Sequence, residues 1–504
     1  MNSNRHNILV ICSDQHNPLM SGYRSHPYVK TPNLDRLAES GTYFTRAYCN
    51  HPLCTPSRMS FITGKYSHRI DSVTNGFPLG RDEMTWARRL DEAGIRSTMI
   101  GKMDFCGEYQ DGGFTDFKIA RIRDALPDLD YTCNPPRKKN PYAWRLKGAR
   151  RVWRPVDRAL AHSCPRTEKV IGSGSYEDEN DDFIGNYDHD RIITDWAVDY
   201  LKEKGSEKDG KPWMLYVGMV YPHEPYTVPA RFFDMYYPNT FELPADACFP
   251  NKKLHPALKH YQESVYDSWN ITEEMLRRTI SAYYGMVTCM DGMVGEILDE
   301  LEVQGLAENT VIIYTSDHGE TLGEHGLFFK DCAYEGSVGI PLIVKGPGIP
   351  AGKSIDFPVS LVDMYPTILD IAGLETEPDR PGRSWLPLLR GEYAGRADYA
   401  FSEYHGHFFL HDWYMLVRNG FKYIWYSNNE KPSLFDLNND PHEMDDLSGD
   451  TAYEPVIKEF EGILRKILDP EEISLRSKQI LGLIGENGED YTETLTAEEV
   501  EQDE

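Results

Sequence analysis

The segment NILVICS at residues 7–13, followed directly by Asp14-Gln15-His16, decides the fold class of this chain. A short unbroken apolar run of this kind is typical of a strand that is buried on both faces of a sheet. Residues 31–40 begin with Thr-Pro and end before Gly41, which predicts a helix. The two segments form a βα unit, and the loop that joins them lies at the carboxyl end of the strand.

The same alternation of strand and helix patterns continues as far as residue 371. Helices are predicted over residues 81–93, 190–204, 272–304 and 361–371, and strands over residues 97–100, 212–220, 310–315 and 341–345. This alternation favours an α/β fold with a large, mostly parallel sheet sandwiched by helices. Ligand sites in such folds lie beyond the carboxyl ends of the strands.

Other parts of the chain depart from this alternation. We predict a large α/β domain over residues 1–375 with an irregular insertion at 118–182, a smaller C-terminal α+β domain over residues 376–484, and an acidic tail over residues 485–504. The smaller domain is expected to carry an antiparallel sheet, because strand patterns at 399–403, 413–418 and 421–425 follow one another closely before a helix pattern at 453–468.

The composition excludes several classes of function. The 504 residues include 53 Lys and Arg against 80 Asp and Glu, a formal net charge of -27, which opposes binding to nucleic acid or to anionic membranes. Nine cysteines without a C-x-x-C pair exclude a zinc ribbon or a disulfide framework. No long apolar stretch or signal peptide is visible, so we expect a cytoplasmic protein; a leader already removed would make it periplasmic or secreted.

Polar residues at two strand ends are candidates for metal binding. Asp14 follows the first strand, and Asp317-His318 follow the strand at 310–315. Carboxylate oxygen and imidazole nitrogen together suit a divalent ion such as Ca²⁺, Mg²⁺ or Mn²⁺. The alternative is that each residue only caps a turn. Two such strand ends in one α/β chain favour the metal site.

Cys54-Thr55-Pro56-Ser57-Arg58 precede an apolar run and predict a turn that leads into a helix, whose first N–H groups attract anions. The guanidinium of Arg58 can donate two hydrogen bonds to the oxygen atoms of an anion. The alternative is an unreactive cysteine near a turn. Further cations, Lys102, His223 and Lys330, are either solvated surface charges or the lining of an anion site at the same edge of the sheet.

The segment Cys54 to Arg58, with Thr63-Gly64 after it, resembles the signature Cys-x-Pro-Ser/Ala-Arg of the formylglycine-dependent sulfatases of the alkaline phosphatase superfamily. Other family motifs recur in order at Asp14, Pro222-His223, Asp317-His318, Lys330, Leu434-Phe435-Asp436-Leu437 and Asp440-Pro441. The resemblance covers residues 7–447. Segments 101–107 and 282–284 are similar to the choline-sulfatase-like branch in particular.

The resemblance implies that a maturation enzyme oxidises Cys54 to formylglycine, whose hydrate attacks a sulfate ester and later releases sulfate by returning to the aldehyde. It also implies that one divalent ion, Ca²⁺ before Mn²⁺ or Mg²⁺, is held by Asp14, Gln15, Asp317, His318 and residue 54. The implied sulfate-binding and proton-transferring residues are Arg58, Lys102, His223 and Lys330. The implied substrate is a small organic sulfate or a sulfated sugar.

Two positions depart from the pattern of the sulfatases. Asp14-Gln15 and Asp317-His318 stand where many members have Asp-Asp and Asp-Asn, and the same residues occur in the related phosphonate monoester hydrolases. Asp104 stands where a histidine is expected, so it either acts as a base or binds the substrate. The alternatives to a sulfatase are therefore a phosphonate monoester or phosphate diester hydrolase and a catalytically silent sulfate-binding protein.

Some polar residues have a weaker functional signal. Asn75 is either a substrate contact or a turn residue before Gly76. His405, His407 and His411 are interpreted as solvated loop histidines, with a place at the rim of the cleft as the alternative. The acidic tail could exchange between the subunits of a homo-oligomer.

Overall fold

The computed structural model describes residues 6–75, 77–105, 110–118, 186–224, 226–238, 241–244, 247, 254–260, 272–406 and 411–481. The acidic tail at 485–504, His407 and nearly all of the predicted insertion at 118–182 lie outside the described residues. The domain boundaries stay a prediction.

Among the described residues, fourteen strands form three sheets. The strands are β1 (Asn7–Ser13), β2 (Thr42–Phe44), β3 (Ala47–Tyr48), β4 (Arg96–Gly101), β5 (Asp116–Lys118), β6 (Trp213–Gly218), β7 (Thr310–Ser316), β8 (Leu342–Lys345), β9 (Lys353–Ile355), β10 (Val359–Ser360), β11 (Tyr399–Tyr404), β12 (Trp413–Arg418), β13 (Phe421–Tyr426) and β14 (Ser433–Asp436). The large sheet has eight strands in the order β5-β4-β6-β1-β7-β8-β2-β9, and β10 pairs with β3.

Strand β1 lies inside the large sheet and pairs in parallel with both β6 and β7. All seven of its residues are buried, as its unbroken apolar sequence predicts. Strand β8 runs antiparallel to β7 and to β2, while β4, β5, β6 and β9 pair in parallel with their neighbours. The prediction of a large, mostly parallel sheet is therefore confirmed.

The described helices cover the sheet and support the smaller domain. They are α1 (Pro32–Ser40), α2 (Cys54–Thr63), α3 (Trp86–Glu92), α4 (Asn186–Ser206), α5 (Ala230–Phe233), α6 (Pro256–His260), α7 (Glu273–Val303), α8 (Glu335–Val338), α9 (Met364–Ile371), α10 (Trp385–Leu389), α11 (Glu454–Ile467) and α12 (Pro470–Ile480). The long helix α7 packs against α1 and α4, whereas α9 packs against α2 and α3. In the described part of the chain, none of the helices has the length and apolar character that a membrane span requires.

Local capping explains where some predicted helix ends were wrong. Helix α3 begins at Trp86 and not at residue 81, because the side chain of Thr85 accepts a hydrogen bond from Arg88 N and so caps the first turn. The helix predicted over 361–371 is a 3-10 turn at Leu361–Asp363 followed by α9, and a capping box of Ser360 and Asp363 starts the turn.

The predicted C-terminal antiparallel sheet is confirmed, with the order β11-β12-β13-β14. Lys422 on β13 is fully buried and ties this sheet to the larger part of the molecule. Its Nζ lies 2.8 Å from Glu335 Oε1 and 2.7 Å from Glu443 Oε1, and it donates a hydrogen bond of 2.9 Å to the carbonyl of Ala333. The segment that follows Lys330 is thus held by the C-terminal sheet.

Replacement of Lys422 with Met should lower the free energy of unfolding by about 3–5 kcal/mol, because the change leaves the Glu443 carboxylate buried without its cation. Denaturant unfolding would measure this loss. Lys458→Met on an exposed face of α11 is the matched control and should change stability by less than about 0.5 kcal/mol. A Lys422→Met protein as stable as the control would contradict this role.

Candidate active site

The two predicted metal-binding strand ends meet because β1 and β7 are neighbours in register. Ser13 pairs with Ser316, so the next residues, Asp14 and Asp317, lie side by side at the carboxyl edge of the sheet. Both carboxylates are fully buried. The position agrees with the general location of ligand sites in parallel sheets.

A single guanidinium lies between these carboxylates. Arg58 Nη2 lies 3.0 Å from Asp14 Oδ2, and Arg58 Nε lies 2.8 Å from Asp317 Oδ2. Arg58 Nη1 donates to the carbonyl of Lys102 at 2.7 Å and to Tyr216 OH at 2.9 Å. The buried cation therefore has a partner for each of its three nitrogen atoms, and its single positive charge is shared between the two carboxylates.

The other oxygen of each carboxylate faces Cys54 and His318. The Cys54 Sγ atom lies 3.8 Å from Asp14 Oδ1 and 3.3 Å from His318 Nε2. The His318 Nε2 atom lies 3.8 Å from both Asp14 Oδ1 and Asp317 Oδ1. One donor atom from each of the four buried residues lies within 4.8 Å of all the others. Two carboxylate oxygens, an imidazole nitrogen and residue 54 form a donor set that fits a divalent ion.

Helix α2 presents Cys54 and Arg58 together, because residues four apart lie on the same helix face. Cys54 is the first residue of the helix, where backbone N–H groups are without helical acceptors. The side chain of Asn75 caps this end by accepting a hydrogen bond of 2.9 Å from Thr55 N. Ser57 Oγ donates to the carbonyl of Asp317 at 2.6 Å, which fixes the helix against the end of β7.

Lys102 reaches the site from the end of β4. Its backbone N–H donates to the carbonyl of Gly218 at 2.8 Å, and a side chain at Gly218 would place a Cβ atom 1.9 Å from the Lys102 carbonyl oxygen. Glycine at 218 therefore permits the close approach that holds Lys102. The Lys102 Nζ atom lies 2.5 Å from Asp14 Oδ2 and 3.3 Å from Asp104 Oδ2.

His223 and Lys330 form the other side of the site. Lys330 Nζ lies 3.2 Å from His223 Nε2 and 3.6 Å from Glu224 Oε2, and His223 Nε2 lies 4.0 Å from Asp14 Oδ1. The carbonyl of Glu224 accepts a hydrogen bond of 2.5 Å from His223 Nδ1. That contact places the proton of a neutral imidazole on Nδ1 and leaves the Nε2 lone pair facing the lysine.

Burial and the mixed charges shift the acid–base properties of these groups. Burial would raise the pKa of Asp14, but the cations of Lys102 and Arg58 hold it well below its usual range. Burial raises the pKa of Asp317 and raises that of the Cys54 thiol to about 12. Burial lowers the pKa of His223 to about 3, so this imidazole is neutral near pH 7.

Gln15 turns its side chain toward Lys330 and Glu320. Its Oε1 accepts a hydrogen bond from Lys330 Nζ, and its Nε2 donates to Glu320 Oε2 at 2.5 Å. Whether Gln15 also contributes to a metal site stays a prediction. Glu320 and Glu224 are buried or largely buried next to the predicted cations. Both follow predicted site residues closely in the sequence, Glu320 after His318 and Glu224 after His223, but neither had a predicted role.

The interpretation of His405 as a solvated histidine is wrong, because its side chain is fully buried. Its Nε2 lies 3.1 Å from Glu403 Oε2, and the same oxygen lies 2.7 Å from His68 Nδ1. Glu403 also accepts a hydrogen bond of 2.9 Å from Ser67 Oγ. This network joins β11 to the segment after α2, so His405 contributes to the contact between the two parts of the molecule.

Comparison with known families agrees with this arrangement. The family model described as Sulfatase matches residues 6–374, which is most of the chain. The chain belongs to the sulfatase family. A second family model, described as N-sulphoglucosamine sulphohydrolase, C-terminal, matches residues 323–469. The resemblance of the sequence to the sulfatases is thereby confirmed.

Two relatives with sulfatase names are similar to this chain over most of their length. The chain is 30% identical to choline-sulfatase of Rhizobium meliloti (strain 1021) over 463 residues, which cover 89% of this chain and 83% of the relative. It is 29% identical to arylsulfatase K of Danio rerio over 491 residues, which cover 93% and 85% of the two chains. This sulfatase is a sulfuric ester hydrolase.

Solved structures share the fold of the sulfatase. The phosphonate monoester hydrolase of Agrobacterium radiobacter superposes with a TM-score of 0.71 at 25% identity, covering 92% of this chain and 95% of that one. A protein crystallised with its substrate D-glucosamine-2-N,6-O-disulfate superposes with a TM-score of 0.70 at 23% identity, covering 95% and 98%.

A divalent ion added to metal-stripped sulfatase should raise its stability toward unfolding, by about 2.7 kcal/mol at a concentration one hundred times Kd. Asp317→Asn should weaken this gain for Ca²⁺ and Mn²⁺ alike, because it removes one of the two negative charges in the donor set. Thermal unfolding with each ion would measure the effect.

The control for this experiment is Asp299→Asn, a change at an exposed carboxylate that pairs with Arg36 on the surface. It should retain the full stabilisation by metal. Equal stabilisation of the Asp317→Asn and Asp299→Asn proteins would show that the four-residue cluster does not hold the ion.

Proposed function

We propose that the protein hydrolyses the sulfate ester of a small organic molecule or a sugar, with formylglycine made from Cys54 and one divalent ion. The observation that carries the proposal is the position of Cys54 at the start of α2, 3.3 Å from His318 Nε2 and beside Asp14. Asp14, Asp317 and His318 would hold the ion together with residue 54. Gln15 is a further candidate ligand.

Formylglycine and the divalent ion would supply distinct chemistry. When present, the hydrated formylglycine supplies an oxygen nucleophile, and the divalent ion lowers its pKa and neutralises charge on the sulfate. Arg58 contributes by holding Oδ2 of both Asp14 and Asp317, so that their Oδ1 atoms stay directed at the ion position.

Three side chains beside the four-residue cluster, those of Lys102, His223 and Lys330, would bind the sulfate group. Lys102 and Lys330 stay charged, because Asp104 and Asp14 raise the pKa of Lys102, and Glu224 raises that of Lys330, against the effect of burial. Their ammonium groups and the His223 ring are at most slightly exposed. In so acidic a protein these local cations explain how an anionic substrate is attracted.

The departing alkoxide needs a proton, and the contact between His223 and Lys330 can supply it. The His223 Nδ1 proton is held by the Glu224 carbonyl, so His223 Nε2 accepts from the ammonium of Lys330. A proton shared between these two nitrogen atoms lies within the site and can pass to the alcohol oxygen as it leaves.

A phosphonate monoester or phosphate diester hydrolase is the second candidate. It is favoured by Gln15 and His318 at the metal-binding positions and by the structural similarity to the Agrobacterium hydrolase. One relative named choline-sulfatase and a neighbour bound to a disulfated glucosamine support sulfate as the group removed. A silent sulfate-binding protein would keep Cys54 as a thiol.

Mass spectrometry of the peptide that contains Cys54 should show a loss of roughly 18 Da in protein made together with a maturation enzyme. The same protein should hydrolyse an aryl sulfate with a higher kcat/KM than an aryl phosphonate, and Cys54→Ala should abolish both activities. An unmodified thiol in fully active protein would exclude the formylglycine mechanism, and a reversed substrate order would favour the second candidate.

We propose that Asp104, which contacts Lys102, acts as the base in the sulfate-release step. The alternative is that Asp104 binds the substrate. Its backbone has a φ of 56°, in the left-handed region that Asp adopts more readily than most side chains other than glycine. The Asp104 side chain is largely buried and lies 3.3 Å from the Lys102 ammonium. This position lets it accept a proton close to the cation that contacts Asp14.

Asp104→Asn should release the alcohol normally in a first turnover and then slow steady-state turnover by about 10²-fold, the ordinary contribution of a general base. Stopped-flow measurement of alcohol release would show the burst. A raised KM with unchanged kcat would instead assign Asp104 to substrate binding, and unchanged steady-state turnover would remove it from both roles.

A further inference from the structure

Lys330 lies between two residues whose backbone conformation is unfavourable and depends on contacts with the rest of the protein. Phe329 and Asp331, its two neighbours, have φ values of 65° and 82°, in the left-handed region that side chains other than glycine rarely adopt. Conformations of this kind persist only where surrounding contacts fix them. The contacts around Lys330 therefore decide where its ammonium lies.

Glu320 supplies the support on the N-terminal side. Its Oε1 accepts hydrogen bonds from the backbone N–H groups of Leu322 at 2.7 Å and Phe329 at 2.6 Å. Its Oε2 accepts from Tyr226 OH at 2.6 Å and from Gln15 Nε2 at 2.5 Å. All four partners are donors to a fully buried carboxylate, and a glutamine at 320 would present one amide group of the wrong polarity.

The same carboxylate also controls the far end of the lysine side chain. Gln15 donates its Nε2 to Glu320 and accepts a hydrogen bond from Lys330 Nζ with its Oε1. Glu320 thus fixes the backbone immediately before Lys330 and the amide that receives its ammonium. The backbone before Lys330 and the amide that accepts its ammonium proton are therefore both bound to the Glu320 carboxylate.

The C-terminal sheet supports the chain on the other side of Lys330. Trp413 Nε1 on β12 donates to the carbonyl of Asp331 at 3.0 Å, and Lys422 on β13 donates to that of Ala333. These contacts hold the backbone after the lysine but do not touch its side chain. The ammonium itself contacts Gln15 Oε1, His223 Nε2 and Glu224 Oε2, and Glu320 holds the first of these partners.

We propose that Glu320 is a positioning residue that sets the Lys330 ammonium beside His223 for sulfate binding. The inference rests on the proposed function, in which Lys330 contacts the sulfate group. Glu320 itself touches neither the substrate position nor the four-residue metal cluster through its carboxylate. Glu320 can therefore affect turnover through Lys330 or through Gln15, and an unchanged stabilisation by Ca²⁺ in a Glu320 variant would exclude the route through Gln15 as a metal ligand.

A double-mutant cycle on the mature full-length enzyme tests this dependence. Glu320→Gln should lower kcat/KM for an aryl sulfate by about 10²-fold, the loss that follows a small misplacement of a binding group. Lys330→Ala should lower it at least as much. The Glu320→Gln and Lys330→Ala double variant should be no less active than Lys330→Ala alone.

Two further readouts separate positioning from general damage. Inorganic sulfate should inhibit the Glu320→Gln enzyme more weakly, while the stabilisation of that enzyme by Ca²⁺ stays as in the wild type. Glu92→Gln, at an exposed carboxylate on α3, is the matched control and should leave kcat/KM unchanged. Tyr226→Phe removes one donor to Glu320 and replaces Glu320→Gln in the cycle if that variant does not fold.

Losses that multiply in the double variant would overturn the inference, because Glu320 would then act independently of Lys330. A wild-type kcat/KM for Glu320→Gln, together with a strong Lys330→Ala defect, would also overturn it and leave the proposed function intact. Wild-type activity of Lys330→Ala in enzyme with modified Cys54 would overturn both the inference and the sulfate-binding role of Lys330, without removing the sulfatase activity.

Discussion

The ion pairs between Arg58 and the carboxylates of Asp14 and Asp317 are the interaction on which the site depends. Two fully buried carboxylates side by side would be strongly unfavourable without a compensating cation. The planar guanidinium takes one oxygen from each and leaves the other pair directed toward Cys54 and His318. The contact with Arg58 thus stabilises the buried carboxylates and also leaves their Oδ1 atoms directed toward the donor set.

The elements around Arg58 follow from this contact. Helix α2 presents Cys54 one turn before the arginine, and the parallel pairing of β1 with β7 brings the two carboxylates to it. A second layer of buried charge then supports the sulfate-binding cations. Asp104 lies beside Lys102, while Glu224 and Glu320 lie around Lys330 and its glutamine partner. The C-terminal sheet completes this layer, since Lys422 holds the chain beyond Lys330.

The sequence predicted the parts of the structure that local patterns encode. The apolar run at 7–13 and the helix and strand patterns after it were sufficient for the parallel sheet, and two polar strand ends favoured a metal site. That β1 and β7 are neighbours, which brings Asp14 and Asp317 side by side, is seen only in the structure. The direction of β8 was not predictable, because a short apolar run is the same in either orientation. Helix α12 and strand β14 were missed, since their segments are short or mostly polar.

The supporting residues of the site could not be predicted for a different reason. Glu320, Glu224 and Tyr226 are single polar or aromatic residues whose roles depend on contacts across the fold and not on neighbours in sequence. His405 illustrates the same limit, because only the tertiary structure shows that Glu403 accepts its hydrogen bond in a buried network. The resemblance to sulfatases identified the groups expected to contact sulfate, but not the carboxylates that orient them.

The most direct test of the central claim is a crystal structure of the mature enzyme with anomalous diffraction from a bound Mn²⁺ ion. The account predicts one ion within about 2.0–2.6 Å of Asp14 Oδ1, Asp317 Oδ1, His318 Nε2 and an oxygen on residue 54, with Arg58 still bound to both Oδ2 atoms. An ion bound elsewhere, or an Arg58 that has left the two carboxylates, would contradict it.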